Sequence, residues 1–192
     1  MNRQKVEDFM DSLQGNFLLA TPQMPDPRFQ EQIIYICSHS PEGAMGLVVN
    51  HPITDITMAD VLRSINLAVP AQPLPPVYLG GPVEMEAAFI LYSSEFACRS
   101  FLRITDSINI SRDPEILQAI SKGAGPQDYI FLLGYVGWAA GQLENELAVN
   151  GWLTLPADYD DIFHTPAEFK WRQVASKHGI DIVLFGDVIG RA

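Results

Sequence analysis

Cysteine is scarce in this sequence: the 192 residues contain only Cys37 and Cys98. The two form no Cys-x-x-Cys pair, so neither a disulfide framework nor a four-cysteine zinc site is available. Residues 1–15 also lack the apolar core of a secretory signal. Together these absences predict a reducing, cytoplasmic setting.

Positive charge is also scarce, with 12 Lys plus Arg against 23 Asp plus Glu and a net charge of -11. A chain this acidic repels the phosphates of nucleic acids and of anionic membranes. The apolar, uncharged stretch 129–143 is shorter than the ~20 residues of a membrane-spanning helix. We therefore expect a protein or small-molecule partner, without direct nucleic-acid binding or membrane insertion.

Apolar residues make up 47% of the chain and charged residues 18%, which is typical of a folded globular protein. Hairpin-like strands come first and strands alternate with helices later, ending in a strand over 180–186. This order predicts an α+β fold in a single domain over 1–192, with mixed and antiparallel sheets packed around helices. Apolar spacing predicts an N-terminal helix over 1–14, and 68–76 form a proline-rich connector.

Local capping patterns predict where three interior helices begin. Thr57, with Asp60 three residues later, predicts a capped helix over 58–65. The run Asp-Pro-Glu at 113–115 predicts the next start, because proline suits the first helical position. Residues 165–168, Thr-Pro-Ala-Glu, predict a capping box with the proline at the first position of a further helix.

The stretch LGYVGWAAGQLENEL, residues 133–147, combines three glycines with two glutamates. Its glycine spacing matches neither the dinucleotide-binding turn nor the phosphate loop, and it lacks the lysine that the latter needs. The glutamates would repel a bound phosphate. We interpret the stretch as a strand–helix junction whose glycines allow close packing, with Trp138 as a candidate contact for a ligand or partner.

No complete metal-binding or catalytic motif is present. Cys37 and His39 could offer two metal ligands, but no second pair has metal-like spacing. Residues 158–161, Asp-Tyr-Asp-Asp, resemble the start of a calcium loop, yet Phe163 and Phe169 occupy the positions that need glycine and glutamate. We interpret them as a solvated acidic loop. The sequence thus predicts no metal and no cofactor, and it leaves the catalytic residues unknown.

Five segments together resemble the YqgE/AlgH family of bacterial proteins. They are GNFLLATPQMPDPRF from residue 15, YICSHSPEGAMGLVVNHP from 35, YLGGPV from 78, LGYVGWAAGQLENELAVNGW from 133 and FGDVIGRA from 185. The resemblance implies a cytoplasmic protein with sheets around central helices. The family has been labelled a transcriptional regulator, has no established activity and supplies no catalytic residues.

Three functions remain open. The first is a non-enzymatic binding or regulatory module that acts through a protein partner or a small ligand. The second is an enzyme that uses His39, His51 or Glu144 as acid or base, which requires two of them within hydrogen-bond reach in a pocket. The third is a direct DNA-binding regulator, which the acidic charge and the missing basic stripe disfavour.

For the first function we expect loop residues to form one shared surface. These residues combine turn-forming, polar and aromatic side chains at strand ends, where binding sites commonly lie. The candidates are Met24, Asp26, Pro27, Asn50, His51, Gly81, Pro82 and Trp138.

Overall fold

The computed structural model describes residues 12–149 and 151–182 of the chain. Residues 1–11 of the predicted N-terminal helix lie outside the described residues. So does most of the closing strand predicted over 180–186.

Ten strands occur in the described part of the chain, and apolar, β-branched and aromatic residues fill most of them. In chain order they are β1 (Asn16–Ala20), β2 (Ile33–Ser40), β3 (Gly43–Val48), β4 (Pro52–Ile53), β5 (Val77–Leu79), β6 (Val83–Ser93), β7 (Leu102–Arg103), β8 (Ile108–Ser111), β9 (Tyr129–Ala139) and β10 (Trp152–Pro156).

Five α-helices and one short 3-10 helix, Pro27–Phe29, accompany these strands within the same described residues. The α-helices are α1 (Met58–Ser64), α2 (Pro114–Ser121), α3 (Gln142–Ala148), α4 (Tyr159–Phe163) and α5 (Ala167–Lys177). None of the described helices has the length and apolar character required to cross a bilayer.

The strands follow the order β10-β1-β2-β3-β9-β6-β8-β7, while β5 pairs with both β4 and β9. The β5–β9 pair is parallel and the other described pairs are antiparallel. The predicted α+β class with mixed and antiparallel sheets is therefore confirmed. The β2–β3 hairpin also turns at residues 40–43, as its Ser-Pro-Glu-Gly sequence suggests.

Strand β9 is shared between two halves of the sheet. Residues 129–133 pair with β5 and β6, whereas residues 136–139 pair with β3. Gly134 lies between the two stretches with a left-handed φ of 72°. A Cβ atom there would overlap the carbonyl oxygen of Gly81, so only glycine fits where the strand passes from one half to the other.

The first half of the glycine-rich stretch is thus strand, because β9 continues through Gly134 and Gly137 to Ala139. The strand–helix junction comes later than expected. Gly141, with a φ of 73°, is the N-cap of α3.

Alternating side chains of the sheet supply two apolar clusters. In β1, Phe17 and Leu19 enter one cluster, while Leu18 and Ala20 enter the other. Helix α5 covers the first cluster and α3 covers the second. A third cluster packs α1 and α2 against β5, β6 and the first half of β9.

Two of the predicted helix starts are confirmed in detail. The Thr57 hydroxyl accepts the Asp60 N–H at 3.2 Å, and the Asp60 carboxylate accepts the Thr57 N–H at 3.1 Å. Asp113 caps α2 by accepting the Glu115 N–H at 2.9 Å. Side-chain acceptors at these positions satisfy amide groups that the helix itself leaves without partners.

The capping box predicted for α5 is wrong. The helix begins at Ala167, Pro166 is the N-cap, and no side chain caps it. The Thr165 N–H instead donates to the Asp160 carbonyl at 2.9 Å. Thr165 therefore belongs to the end of α4, which directly precedes α5 in the chain.

The interpretation of residues 158–161 as a solvated loop is also wrong. Asp158 is the N-cap of α4 and accepts the Asp161 N–H at 2.9 Å. Asp161 is buried, and its carboxylate accepts a hydrogen bond from Lys177 Nζ at 2.9 Å. An ion pair with α5 thus offsets the cost of burying this acid.

Lys170 joins α5 to α4 from inside the protein. Its side chain is 1% exposed, and Nζ donates to the Ile162 carbonyl at 2.6 Å. Burial disfavours the ammonium form and lowers the pKa of Lys170 to about 8, although Asp161 opposes the shift.

Replacing Gly134 with alanine should destabilise the protein by about 3 kcal/mol or more. The left-handed backbone costs ~1–2 kcal/mol, and the overlap with Gly81 adds overpacking of a similar size. Gly141→Ala is the matched control, because Gly141 has nearly the same φ and no atom lies within 4 Å of its Cβ position. Urea unfolding of both variants measures the difference, and equal losses would contradict the close-approach argument.

Lys170 should contribute an increase in stability with pH between about 8 and 10. In that range the unfolded chain keeps the lysine protonated, with a pKa of 10.5, while the folded protein has released the proton. The unfolded state then binds more protons, so the free energy of unfolding increases with pH, by up to about 3 kcal/mol. Lys170→Met should remove this contribution. Urea unfolding of both proteins from pH 7.5 to 9.5 tests it through the difference between their slopes, because the raised pKa values of the buried Cys37 thiol and of the tyrosines oppose Lys170 equally in both; equal slopes would contradict the assignment.

Candidate functional site: the cleft beside helix α5

A cleft of about 330 Å³ lies between the loop before β2, the residues after β3 and the first turns of α5. An adjoining depression of about 270 Å³ continues it toward the end of β1. We call the two together the α5 cleft. Its lining comprises Thr21, Pro22, Gln30, Glu31, Gln32, Asn50, His51, Ala167, Glu168, Trp171 and Arg172.

Asn50 fixes one wall of the α5 cleft. Its side-chain oxygen accepts the Ile33 N–H at 3.0 Å, and its side-chain nitrogen donates to the Glu31 carbonyl at 2.9 Å. Between these two contacts the backbone of Glu31 adopts a φ of 54°. A non-glycine residue in this region is strained, and such strain is concentrated at functional sites.

His51 lies beside Asn50 and is tied to the same wall. The Gln32 amide nitrogen can only donate, so it donates to His51 Nδ1 at 2.9 Å. The neutral imidazole therefore carries its proton on Nε2. The His51 carbonyl accepts the Leu79 N–H at 2.9 Å, which links the cleft to β5.

Trp171 forms the floor of the α5 cleft. The indole is buried, and its Nε1–H donates to the Ala20 carbonyl at 2.9 Å. This hydrogen bond anchors α5 to the end of β1. The position of the cleft thus depends on the burial of Trp171 and on its hydrogen bond to Ala20, which is distant in sequence.

Arg172 is the cation of the α5 cleft, and it has no carboxylate partner among the described residues. The other arginines there do have partners: Arg28, Arg63, Arg99 and Arg103 pair with acids, and Arg112 stacks over the Phe89 ring. Glu168 is four residues before Arg172, a spacing that favours an ion pair on a helix. In this structure the two form no ion pair, so Arg172 lines the cleft without a neutralising carboxylate contact among the described residues.

Of the residues predicted from the sequence, Asn50 and His51 line the α5 cleft. Asp26 caps the 3-10 helix that Pro27 begins, and it binds the Arg28 side chain. Directly before β6, Gly81 is buried and Pro82 is exposed. A Cβ at Gly81 would overlap the Tyr135 backbone, which accounts for the glycine structurally.

Met24 and Trp138 do not contribute to an exposed surface, which corrects the expectation for both. Each is 6% exposed and belongs to the cluster under α3. Trp138 Nε1–H donates to Glu146 Oε2 at 2.9 Å, and Trp152 donates to the same oxygen at 3.0 Å. The glutamate thus satisfies both indoles, and Trp138 is a core residue rather than a free aromatic contact.

His39 and Glu144 do come within hydrogen-bond reach, at 2.9 Å between Nε2 and Oε1. The His39 side chain is only 1% exposed, and its Nδ1 accepts the Leu13 N–H at 2.9 Å. Nε2 must then carry the proton that Glu144 accepts. Both ring nitrogens are used within the fold, so this pair connects β2 to α3 and offers no nitrogen to a substrate.

A second cleft, of about 490 Å³, lies under the proline-rich connector and contains Asp128. Both carboxylate oxygens of Asp128 are taken, by the Tyr159 hydroxyl at 2.6 Å and by His164 Nε2 at 3.2 Å. Asp160 and Asp128 raise the pKa of His164. Both oxygens of Asp128 therefore have partners, and this acid offers the second cleft no unpaired carboxylate oxygen.

The residues that sequence reasoning missed are those of α5. Trp171 and Arg172 carry no motif, and nothing in the local sequence shows that α5 packs against the end of β1. The available signal was the Glu168–Arg172 spacing, which places both residues on one helix face.

Comparison with known proteins identifies a matching family model and several similar proteins. The model of the AlgH-like family matches residues 17–183. A UPF0301 protein of Desulfotalea psychrophila is 46% identical over 182 residues, 95% of this chain and 96% of that protein. One from Thioalkalivibrio sulfidiphilus is 40% identical over 179 residues, covering 93% and 96%.

Solved structures show the same architecture. The solution structure of the AlgH protein from Pseudomonas aeruginosa is 35% identical, covers 97% of both chains and superposes with a TM-score of 0.75. Protein DIP2367 from Corynebacterium diphtheriae, at 20% identity, covers 96% of this chain and 93% of its own with a TM-score of 0.70, and shows the fold alone. The long family match and the close relatives establish that this chain belongs to the AlgH-like family.

Proposed function

We propose that this chain is a non-enzymatic binding or regulatory module of the cytoplasm whose α5 cleft takes a small anionic ligand. The observation that carries the proposal is Arg172, a guanidinium without a carboxylate partner among the described residues, in a preformed cleft. Guanidinium groups bind carboxylates and phosphates through paired hydrogen bonds.

The size and rigidity of the α5 cleft support a small ligand. Its two parts, about 330 and 270 Å³, fall near the lower end of the range for small-molecule sites. The Asn50 contacts hold Glu31 and Gln32 in place, so little ordering is required on binding. Glu31 and Glu168 also line the cleft, and they favour a ligand that carries hydrogen-bond donors beside its anionic group.

The remaining interpretations have weaker support. His39 forms hydrogen bonds with Glu144 and with the Leu13 N–H. The two side chains are therefore unavailable as the acid–base pair that the enzyme hypothesis requires. The net charge of -11 opposes direct DNA binding. A regulatory effect is better explained by a change in binding to a protein partner once the ligand occupies the cleft.

Binding of small carboxylic acids, including amino acids and dicarboxylates, should perturb the amide resonances of residues 30–32 and 50–51. The measurement is a titration of ¹⁵N-labelled protein followed by NMR. Arg172→Gln should weaken binding by about tenfold or more, because a charge-assisted hydrogen bond contributes ~1.5–3 kcal/mol.

Arg63→Gln is the matched control, since Arg63 is exposed and pairs with Asp60 away from the cleft. It should bind the same acids as the unsubstituted protein. The proposal is rejected if no acid perturbs the cleft amides, or if the Arg172 and Arg63 variants bind equally well.

A further inference from the structure

Cys98, Asp113 and Glu115 lie together although the sequence separates them. Cys98 lies in the loop after β6, whereas the two acids lie at the start of α2. Their thiol and carboxylate ligand atoms all lie within 4.8 Å of one another, and all three residues are partly buried. None of them lines the α5 cleft.

Ser111 organises this group. Its hydroxyl donates to the Ser100 carbonyl and accepts the Asp113 N–H at 2.9 Å. Cys98 Sγ lies 3.6 Å from the same hydroxyl. The loop that carries Cys98 is therefore tied to the start of α2, and Asp113 is held further by its capping bond to Glu115 N–H.

Two buried polar atoms beside this group have no hydrogen-bond partner among the described residues. They are the Tyr92 hydroxyl, on a residue that is 0% exposed, and the side-chain oxygen of Asn109, at 4%. Tyr92 and Asn109 are opposite each other across β6 and β8. Ser111 follows Asn109 by two residues and so points to the same face.

This shared face directs the Tyr92 hydroxyl toward Cys98. Cys98 and Tyr92 contribute to the same apolar cluster, and burial together with the neighbouring Cys98 raises the pKa of Tyr92 to about 12. Buried hydroxyls normally have partners. A thiol is a weak acceptor, whereas the sulfur of a metal-bound thiolate is a stronger one, so the hydroxyl has no good acceptor among the residues that the structure describes.

We propose that Cys98, Asp113 and Glu115 bind a divalent cation of the zinc class. A thiolate with two carboxylates suits a borderline-soft ion such as Zn²⁺ or Co²⁺ better than Mg²⁺ or Ca²⁺, which require oxygen ligands. Ligands of one such ion lie about 3–4 Å apart. Small side-chain rotations from the observed separations achieve this spacing and leave a fourth position for water.

The charges at the site favour the cation. One thiolate and two carboxylates supply three negative charges, against about half a positive charge at the start of α2. Arg99 lies 3.8 Å from the Glu115 carboxylate, but its side chain is 89% exposed and can move into solvent. On binding, the Cys98 S–H bond breaks, its proton passes to the buffer and the sulfur bonds to the metal. The Tyr92 hydroxyl then donates to that sulfur.

Cobalt titration tests the proposal on the full chain. One equivalent of Co²⁺ should produce the near-ultraviolet charge-transfer absorption of a cobalt–thiolate bond, and Zn²⁺ but not Mg²⁺ should abolish it. Cys98→Ser should lose the band. Cys37→Ser is the matched control and should keep it, because Cys37 is fully buried in the core.

Two conservative variants separate metal binding from folding. Asp113→Asn keeps the helix cap, and Tyr92→Phe removes only a hydroxyl without a partner, so both should fold with unchanged stability in the absence of metal. Each should weaken Co²⁺ binding by about tenfold or more. A missing band in the unsubstituted protein, a band that depends on Cys37, or unchanged affinity in both variants would overturn the site.

Discussion

The close approach of three glycines is the constraint on which the sheet depends. The Gly80 N–H donates to the Leu133 carbonyl at 2.7 Å, and the Gly80 carbonyl accepts the Val48 N–H at 2.8 Å. Gly81 and Gly134 are packed backbone against backbone beside it. Here β9 leaves its pairing with β5 and β6 and begins its pairing with β3. A side chain at this crossing would force the two halves of the sheet apart.

The α5 cleft is connected to this crossing through backbone hydrogen bonds. β5 pairs with β9 on one side and with β4 on the other, and the Leu79 N–H holds the His51 carbonyl. The Val49 N–H donates to the Ile33 carbonyl at 3.0 Å, directly beside the contacts that Asn50 makes. The strained backbone at Glu31 is thus supported by rigid strands, which is the usual condition for strain to persist.

Local sequence predicted those features that local physics determines. The capping pairs at Thr57 and Asp113, the β2–β3 turn and the α+β class depend on neighbouring residues and on the order of elements. The predictions for Trp138, Asp161 and Thr165 failed for one shared reason. Each residue makes a contact outside the short pattern used to interpret it: with Glu146 and the sheet for Trp138, with Lys177 for Asp161, and with the Asp160 carbonyl of α4 for Thr165.

The candidate site likewise combines residues that the sequence indicates with residues that it does not. Asn50 and His51 attract notice as polar residues at a strand exit, but the side chains that would give the α5 cleft its chemistry come from α5, more than a hundred residues later. The cysteine–carboxylate group is equally hidden, because Cys98 and Asp113 are brought together only by β6–β8 pairing and by the Ser111 contacts. The sequence spacing of Cys98, Asp113 and Glu115 matches no metal motif.

The acidic charge acts in opposite directions at the two proposed sites. A net charge of -11 attracts a divalent cation from a distance and repels an anion. At physiological ionic strength such long-range effects fade within about 8 Å. An anion can therefore bind Arg172 only where fixed local donors outweigh the repulsion from Glu31 and Glu168. For this reason, binding of an anion depends as much on the fixed positions of Asn50, Gln32 and His51 as on the guanidinium of Arg172.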